Sequence, residues 1–544
     1  MQNNDVQTYL GNKGYTIYKN TISVQEQQYI RNELTVRPYI PKSPVQPPAF
    51  PIYRESQQKF YVPRFFGLDT YGFPDEERLS KGDDISLSFS GDLRDYQKKV
   101  VDIYLDNTKR SNTVDHKTTG YGGLLEIPCG RGKTVIALNI ISKLKKKTLV
   151  IVHKNFLVSQ WIERIEQFLP NARVGKIQGQ VIDIDDKDIV IGMLQSLSMK
   201  KYPTEIFESF GLTIVDETHH IAAEVFVRSL FHVVTPYVLG LSATMQRKDG
   251  LSKVFKKFLG DIIYTEKREQ DDNVLVKAIN YVSTDTDFLA VKYDYRGNVQ
   301  YSTMISKLCT CSHRSEFILQ VLEDALKVET NKQVMILGHN RNLLVYLHDA
   351  IESRKIAGGS VGYYVGGMKE KDLKITESKQ VVIATYSMAS EALDIKTLTT
   401  LILATPKTDV TQSVGRILRV KHAQPLVIDI VDPHELFERQ WKKRRTYYTK
   451  SNYRIIQIDS EQYKTATNET WQTVFEPGMK RPRAKRTTKT AKDKGIKNQK
   501  NQKNQKNNKY SVSKTLIETG KIETEMINPT ESEHPLHGAC LLDI

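Results

Sequence analysis

Apolar and polar positions change rhythm several times along the chain, and those changes divide it. From about residue 89, short β-branched runs alternate with longer amphipathic segments. The runs at 123–127, 148–152, 188–191, 212–215 and 237–241 predict strands, and 132–144 and 155–168 predict helices. In the second helix Phe156, Ile162, Ile165 and Phe168 fall near one face. The same rhythm restarts near residue 333, with strands predicted at 333–337, 381–384, 400–404 and 426–431 and helices at 342–352 and 409–418. Apolar strands interleaved with helices predict a parallel, doubly wound sheet covered on both faces. The expected fold class is therefore α/β, with two such domains in tandem at 89–265 and 266–460. The stretch of about 265–332 joins them and is expected to supply the first elements of the second domain.

The flanks read differently. Residues 1–88 hold many aromatics and prolines, as in Tyr61-Val62-Pro63-Arg64-Phe65-Phe66, and predict a small accessory module of short strands. From 461 the periodicity fades, and a three-residue Asn-Gln-Lys unit repeats from Asn498 to Lys506. Such a composition cannot bury enough apolar surface to offset chain entropy, so 461–544 is expected to be a mostly disordered tail.

Composition adds bounds. A chain of 544 residues exceeds the roughly 250–300 that one core can serve. With 39% hydrophobic and 26% charged residues it reads as soluble and globular. No apolar stretch approaches the ~18 residues a membrane helix needs. The N-terminal Met-Gln-Asn-Asn-Asp-Val has neither a basic nor an apolar leader region, so an intracellular protein, or one packaged in a particle assembled there, is expected. The four cysteines are too few for a disulfide framework. Cys309-Thr-Cys311-Ser-His313 lacks a second ligand pair at finger-like spacing, so free thiols are expected rather than zinc. The net charge of +16 is unevenly spread: 480–509 holds thirteen Lys or Arg and one Asp, a net of +12, which leaves +4 for the remainder. The basicity belongs to the tail, which would tether phosphate backbones through counterion release or serve as a solubility or localisation segment.

Three motifs carry chemistry. Pro128-Cys129-Gly130-Arg131-Gly132-Lys133-Thr134 follows a predicted strand and opens a helix, the context of a phosphate-binding loop. Gly130 and Gly132 let backbone N–H groups turn toward phosphate oxygens, Lys133 would neutralise them, and Thr134 would place its hydroxyl on Mg²⁺. The usual first glycine of the pattern is Ile127 here. Asp216-Glu217-Thr218-His219-His220 ends another apolar strand. Asp216 suits Mg²⁺ and Glu217 suits activation of a water, although an acidic helix cap has the same spelling. In Gln412-Ser413-Val414-Gly415-Arg416-Ile417-Leu418-Arg419, the two arginines are three apart, as on one helix face, and a guanidinium suits γ-phosphate charge.

The order Leu93-Arg94-Asp95-Tyr96-Gln97, phosphate loop, Asp-Glu-Thr-His, Ser242-Ala243-Thr244, and Gln412 through Arg419 resembles the superfamily 2 helicases. More narrowly it resembles the XPB group and the helicases of large cytoplasmic DNA viruses, including the poxvirus transcript-release helicase. The resemblance covers about 89–455, and Tyr61 to Gly67 also resembles the N-terminal region of those viral helicases. It implies two RecA-like domains, ATP and Mg²⁺ as cofactors, and nucleic acid as partner, with DNA favoured over RNA and transcription as the suggested setting. Residue by residue, it implies that Gln97 reads adenine and that His153, Lys154, Gln195 and Ser196 grip the strand backbone. Ser242, Thr244 and His219 would couple hydrolysis to strand contact. Thr385 and Asp394 would touch strand and nucleotide, and Gln412, Arg416 and Arg419 would complete the ATP site. Arg247-Lys248-Asp249 replaces the Arg-Glu-Asp of XPB-like proteins, which puts a duplex-wedge role there in doubt, and Ala392 stands where many relatives have Gly. A duplex translocase, an RNA remodeller and a catalytically silent scaffold remain the alternatives.

Overall fold

The computed structural model describes residues 7–39, 46–113, 116–128, 130–217, 223–243, 251–266, 273–328, 332–391, 395–420, 422–467 and 469–479. Of the expected features, His219, Thr244, Asp394, the Arg247-Lys248-Asp249 triplet and the tail from 480 lie outside these residues.

Two eight-stranded sheets dominate. The first runs in the order Val181–Asp183, Val174–Gln178, Ile189–Met193, Thr148–Val152, Leu212–Asp216, Tyr237–Ser242, Gly122–Glu126, Ile262–Thr265. All its pairs are parallel except the edge hairpin 174–183. The central strands are buried along their whole length, which is why their sequence is continuously apolar rather than alternating. The second sheet runs Val361–Tyr364, Val381–Thr385, Gln333–Gly338, Leu398–Leu403, Leu426–Val431, Leu275–Asn280, Arg454–Asp459, Gln472–Phe475. It is parallel except for its last pair. The doubly wound α/β architecture is thus present twice.

Three details depart from the sequence expectation. The second sheet passes residue 460: Gln472–Phe475 adds an antiparallel edge strand, and Trp471 before it packs on the core. Four residues are too few to show a period, so the tail boundary expected at 461 falls inside the sheet. The helix expected at 409–418 spans only Thr411–Arg416, with a glycine in its last turn, and Arg419 lies in the turn beyond it. On the Asn155–Phe168 helix, the deepest residues are Leu157, Trp161 and Ile165, while Phe156, Ile162 and Phe168 are half-buried.

The N-terminal module is a five-stranded sheet, ordered Arg54–Glu55, Lys59–Val62, Gly14–Tyr18, Thr8–Gly11, Glu76–Glu77. Its inner face packs on the Arg64–Tyr71 helix, which packs in turn on the first lobe's Ser252–Leu259 helix. Arg64 is buried and donates to the carbonyls of Thr235 at 2.5 Å and Pro236 at 2.9 Å, which fixes the module to the first lobe. The second lobe holds two buried ion pairs, Arg314–Asp432 at 2.6 Å and Arg444–Asp429 at 2.7 Å, each tying a helix to the end or interior of a strand.

Candidate functional site

The register of the first sheet assembles the site. Leu212–Asp216 and Gly122–Glu126 flank Tyr237–Ser242, with Asp216 opposite Leu241 and Glu126 opposite Ser242. The phosphate loop, Ser242 and the acidic pair therefore share one carboxyl-terminal edge, where open α/β sheets bind ligands. Ser242 is buried, and its carbonyl accepts from Ile127 N–H at 2.8 Å, joining its strand to the start of the loop.

The loop conformation follows from its glycines. Gly130 and Gly132 have φ of +80° and +77°, and Gly132 is the cap from which the Lys133–Leu144 helix starts. A Cβ on Gly132 would lie 2.4 Å from Gln97 Nε2. The Gln97 side chain accepts from Arg94 N–H at 2.9 Å and donates to the Arg131 carbonyl at 3.3 Å. Arg131 pairs with Glu266 at 2.8 Å and lies over the Tyr96 ring, so the loop is braced on both sides.

The acidic pair is tightly held. The Lys133 ammonium pairs with Glu217. Glu217 has φ of +50°, a left-handed backbone that a non-glycine residue adopts at a cost, as happens at functional sites. Asp216 is buried; its Oδ1 accepts from the Glu217 backbone N–H at 2.9 Å and its Oδ2 from Trp161 Nε1–H at 3.0 Å. Burial first, and the Glu217 charge second, push the Asp216 carboxyl up to about 6, against the opposing pull of Lys133 and Trp161.

The second lobe closes over this edge. A cleft of about 630 Å³ is lined from the first lobe by Gln97, Gly130, Gly132, Lys133, Thr134, Asp216 and Glu217, and from the second by Tyr364, Lys396, Arg416 and Arg419. Arg416 is buried, and a Cβ on Gly130 would touch Arg419 Cγ at 3.4 Å, so Arg419 rests on the phosphate loop itself. The Asn155–Phe168 helix bridges the lobes: Ser159 donates to Glu370 at 2.9 Å, Glu163 pairs with Lys374 at 2.6 Å, and Phe156 packs on the cores of both lobes. Burial raises the Glu377 carboxyl and the Tyr364 hydroxyl, which share a hydrogen bond of 3.3 Å beside the two arginines.

The expected strand-gripping residues of the first lobe lie further along the same carboxyl-terminal edge, outside the cleft lining. Gln195 donates to the His153 carbonyl at 2.8 Å, tying together the ends of two adjacent strands, and Ser196 Oγ accepts from Gly179 N–H at 2.9 Å. His153 is buried, and Lys154 is the residue before the next helix, without a side-chain cap bond. Thr385 ends its strand opposite Gly338, with its hydroxyl 3.4 Å from Ser387. Gln412 lies in the first turn of the Thr411–Arg416 helix.

Sequence reasoning missed Trp161, Arg131–Glu266 and the bridging residues Ser159, Glu163, Glu370 and Lys374. The one signal for Trp161 was its place four residues after Leu157 and four before Ile165, on the line that proves deepest.

A nucleotide-sized cleft floored by a phosphate loop and roofed by arginines from a second lobe of the same build is the architecture of an ATP-dependent helicase, and this chain is of that class. Residues 90–247 match the family model described as "Type III restriction enzyme, res subunit". The chain is 34% identical over 465 residues to L396 of Acanthamoeba polyphaga mimivirus, named a candidate ATP-dependent RNA helicase, across 83% of this chain and 87% of that one. It is 27% identical over 370 residues to the similarly named QP509L of African swine fever virus (isolate Tick/South Africa/Pretoriuskop Pr4/1996), across 63% and 71%. It is 26% identical over 389 residues to the "DNA 3'-5' translocase XPB2" of Sulfurisphaera tokodaii, across 65% and 84%. The chain belongs to the family of ATP-dependent helicases that its mimivirus relative represents. Among the described residues no helix is long and apolar enough to cross a membrane.

Proposed function

We propose that the chain hydrolyses ATP between its lobes to move along a nucleic-acid strand, DNA in preference to RNA, during transcription. The observation that carries this is the meeting of Lys133, Asp216 and Glu217 with Arg416 and Arg419 in one cleft. The donor set suits Mg²⁺, because hard cations take oxygen ligands and the Thr134 hydroxyl lines the same cleft as the two carboxylates. Thr134 and Asp216 would hold the ion there, and it would supply positive charge against the charge developing on the phosphates.

The residues themselves do the following. Lys133 exchanges Glu217 for the β and γ phosphates, and the released Glu217 orients the attacking water and takes its proton. Arg416 and Arg419 meet the γ-phosphate charge from the opposite wall. Hydrolysis cleaves the γ-phosphate from ADP, and its departure as inorganic phosphate carries that charge out of the cleft and weakens the hold between the lobes. A strand gripped by His153, Lys154, Gln195 and Ser196 on one lobe and by Thr385 on the other is then held alternately. Those contacts are to backbone, so base sequence matters little.

RNA is the second reading, favoured because the mimivirus and African swine fever virus relatives carry RNA helicase in their names while XPB2 carries DNA. The test is ATP turnover of the full chain alone and with single-stranded DNA, duplex DNA or RNA, beside Glu217→Gln. Many-fold stimulation by DNA and a dead mutant support the proposal; stimulation by RNA alone moves it to RNA. No stimulation by any nucleic acid, or a mutant as active as wild type, overturns it.

A further inference from the structure

The N-terminal module presents a face that the cleft does not use. Leu10, Tyr15, Ile17, Phe60 and Val62 fill its inner side. Tyr9 pairs with Thr16, Thr16 with Tyr61, and Tyr18 with Lys59. Directly paired residues share a face, as do alternate positions of one strand, so Tyr9, Tyr18, Lys59 and Tyr61 stand together on the outer side.

Cations interleave with these rings. Lys59 Nζ lies 4.6 Å from the Tyr18 ring centroid and 5.2 Å from that of Tyr9, and it donates to the Tyr9 hydroxyl at 3.3 Å. Lys13 lies 5.2 Å from the Tyr61 ring, and the Arg78 guanidinium lies 4.0 Å from that of Tyr9. Glu76 pairs with Arg78 at 2.6 Å, and Asp75, at the edge, is engaged by the backbone N–H groups of Gln7 and Thr8. Three cations against these two carboxylates leave the face net positive.

We propose that this face is a second nucleic-acid contact. It takes a single strand, with bases against Tyr9, Tyr18 and Tyr61 and phosphates against Lys13, Lys59 and Arg78. Aromatic rings interleaved with cations are what sequence-tolerant strand binding requires, since every base has a π-face and every nucleotide a phosphate. The choice of ligand rests on the motor reading of the chain. Arg64 and the Lys257–Glu33 pair at 2.8 Å fix the module to the first lobe, so a strand held there stays close to that lobe at every stage of the cycle. The face therefore raises residence on the strand and leaves the chemical step alone.

The test is equilibrium binding of the full chain, without nucleotide, to labelled oligothymidylate and oligouridylate of about 30 nucleotides, long enough for both sites. Tyr9→Ala with Tyr61→Ala should weaken binding about tenfold or more, because two stacking platforms are lost. Tyr9→Phe with Tyr61→Phe, which keeps the rings, should stay within about twofold, and both pairs should keep wild-type turnover at saturating strand. Lys59→Gln, which removes the charge and keeps a long polar side chain, should flatten the salt dependence of binding. A loss on either oligomer supports the face, and the larger loss names the polymer. An Ala pair that binds like wild type, a Phe pair as weak as the Ala pair, or an unchanged salt dependence for Lys59→Gln overturns the proposal. Wild type that binds neither oligomer fails the motor reading instead.

Discussion

The indole N–H of Trp161 donates to Asp216 Oδ2 at 3.0 Å, inside the first lobe and directly beneath the interlobe cleft. The same helix reaches the second lobe through Ser159 and Glu163. One element thus positions the buried acid and touches the second lobe, so contact between lobes and the setting of the carboxylate proposed to hold Mg²⁺ are mechanically joined.

Trp161→Phe keeps most of the buried ring and removes the donor. A hydrogen bond to a charged group contributes about 1.5–3 kcal/mol. Its loss disfavours the ionised form, so the Asp216 carboxyl, already at about 6, rises further. Near neutral pH a larger share of the acid is then protonated. The expected result is about a tenfold higher Mg²⁺ requirement for half-maximal turnover and a pH profile displaced upward. Mg²⁺ titrations at pH 7 and pH 8.5 decide it: the deficit should shrink at the higher pH, and an unaltered Mg²⁺ requirement would remove Trp161 from the site.

Arg416→Ala should separate chemistry from binding. The guanidinium comes from the opposite wall; if it meets the γ-phosphate charge as proposed, that charge is greatest in the transition state and its loss should lower turnover by about 10³-fold or more. Affinity for a nucleotide held mainly by the first-lobe loop should change far less. Nucleotide titration beside steady-state turnover distinguishes the two, and equal losses in both would make Arg416 a binding residue only.

The parts of this site that could be read from sequence are those whose chemistry is local. Gly130-Arg131-Gly132-Lys133-Thr134 is a backbone shape plus the Lys133 ammonium, and both are encoded in adjacent residues. Asp216 and Glu217 declare themselves by ending an apolar run. Trp161 does not, because an aromatic on a helix reads as core and its partner lies 55 residues away. The Ser159–Glu370 and Glu163–Lys374 contacts join residues 211 apart, across a lobe boundary that no local pattern describes. Arg314 and Asp432 look like surface charges in the sequence; only the fold shows that they neutralise each other in the interior. The edge strand Gln472–Phe475 owes its state to the neighbour it pairs with, since four residues carry no period of their own.

Acid should destabilise the second lobe through His339. Its ring is 2.8 Å from Thr405 Oγ1 and 4.7 Å from the Tyr386 ring, and burial, helped by the Lys407 charge, holds the imidazole down at about 4. The unfolded chain takes up that proton near 6.5. Above 6.5 both states are neutral and the contribution is fully present. As pH falls from there toward 4 the unfolded state binds the extra proton, so stability is lost. Between pH 7 and pH 5 the loss should be about 2 kcal/mol. Denaturant unfolding of wild type and His339→Gln across this range checks it: the variant's curve should be flatter by that amount, and parallel curves would refute the assignment.

Gly132→Ala tests whether the loop shape or the chain's general stability governs nucleotide binding. Alanine in the left-handed region costs about 1 kcal/mol wherever it occurs. At Gly132 a second effect is added, because the new Cβ falls 2.4 Å from Gln97 Nε2 and must displace it. Gln97 holds both Arg94 N–H and the Arg131 carbonyl, so the displacement reaches both the loop and the start of the Asp95–Asn107 helix. Gly358 supplies the control: its φ of +62° and ψ of +18° lie in the same left-handed region and a Cβ there meets nothing within 4 Å, so Gly358→Ala carries the strain without the collision. Both variants should lose similar, small amounts of thermal stability. Only Gly132→Ala should lose nucleotide affinity, by about tenfold or more, since backbone donors aimed at phosphate act only when placed. Fluorescent-nucleotide titration of the two proteins separates the effects: equal affinities would mean that the glycine relieves backbone strain alone and that Gln97 has no part in shaping the loop.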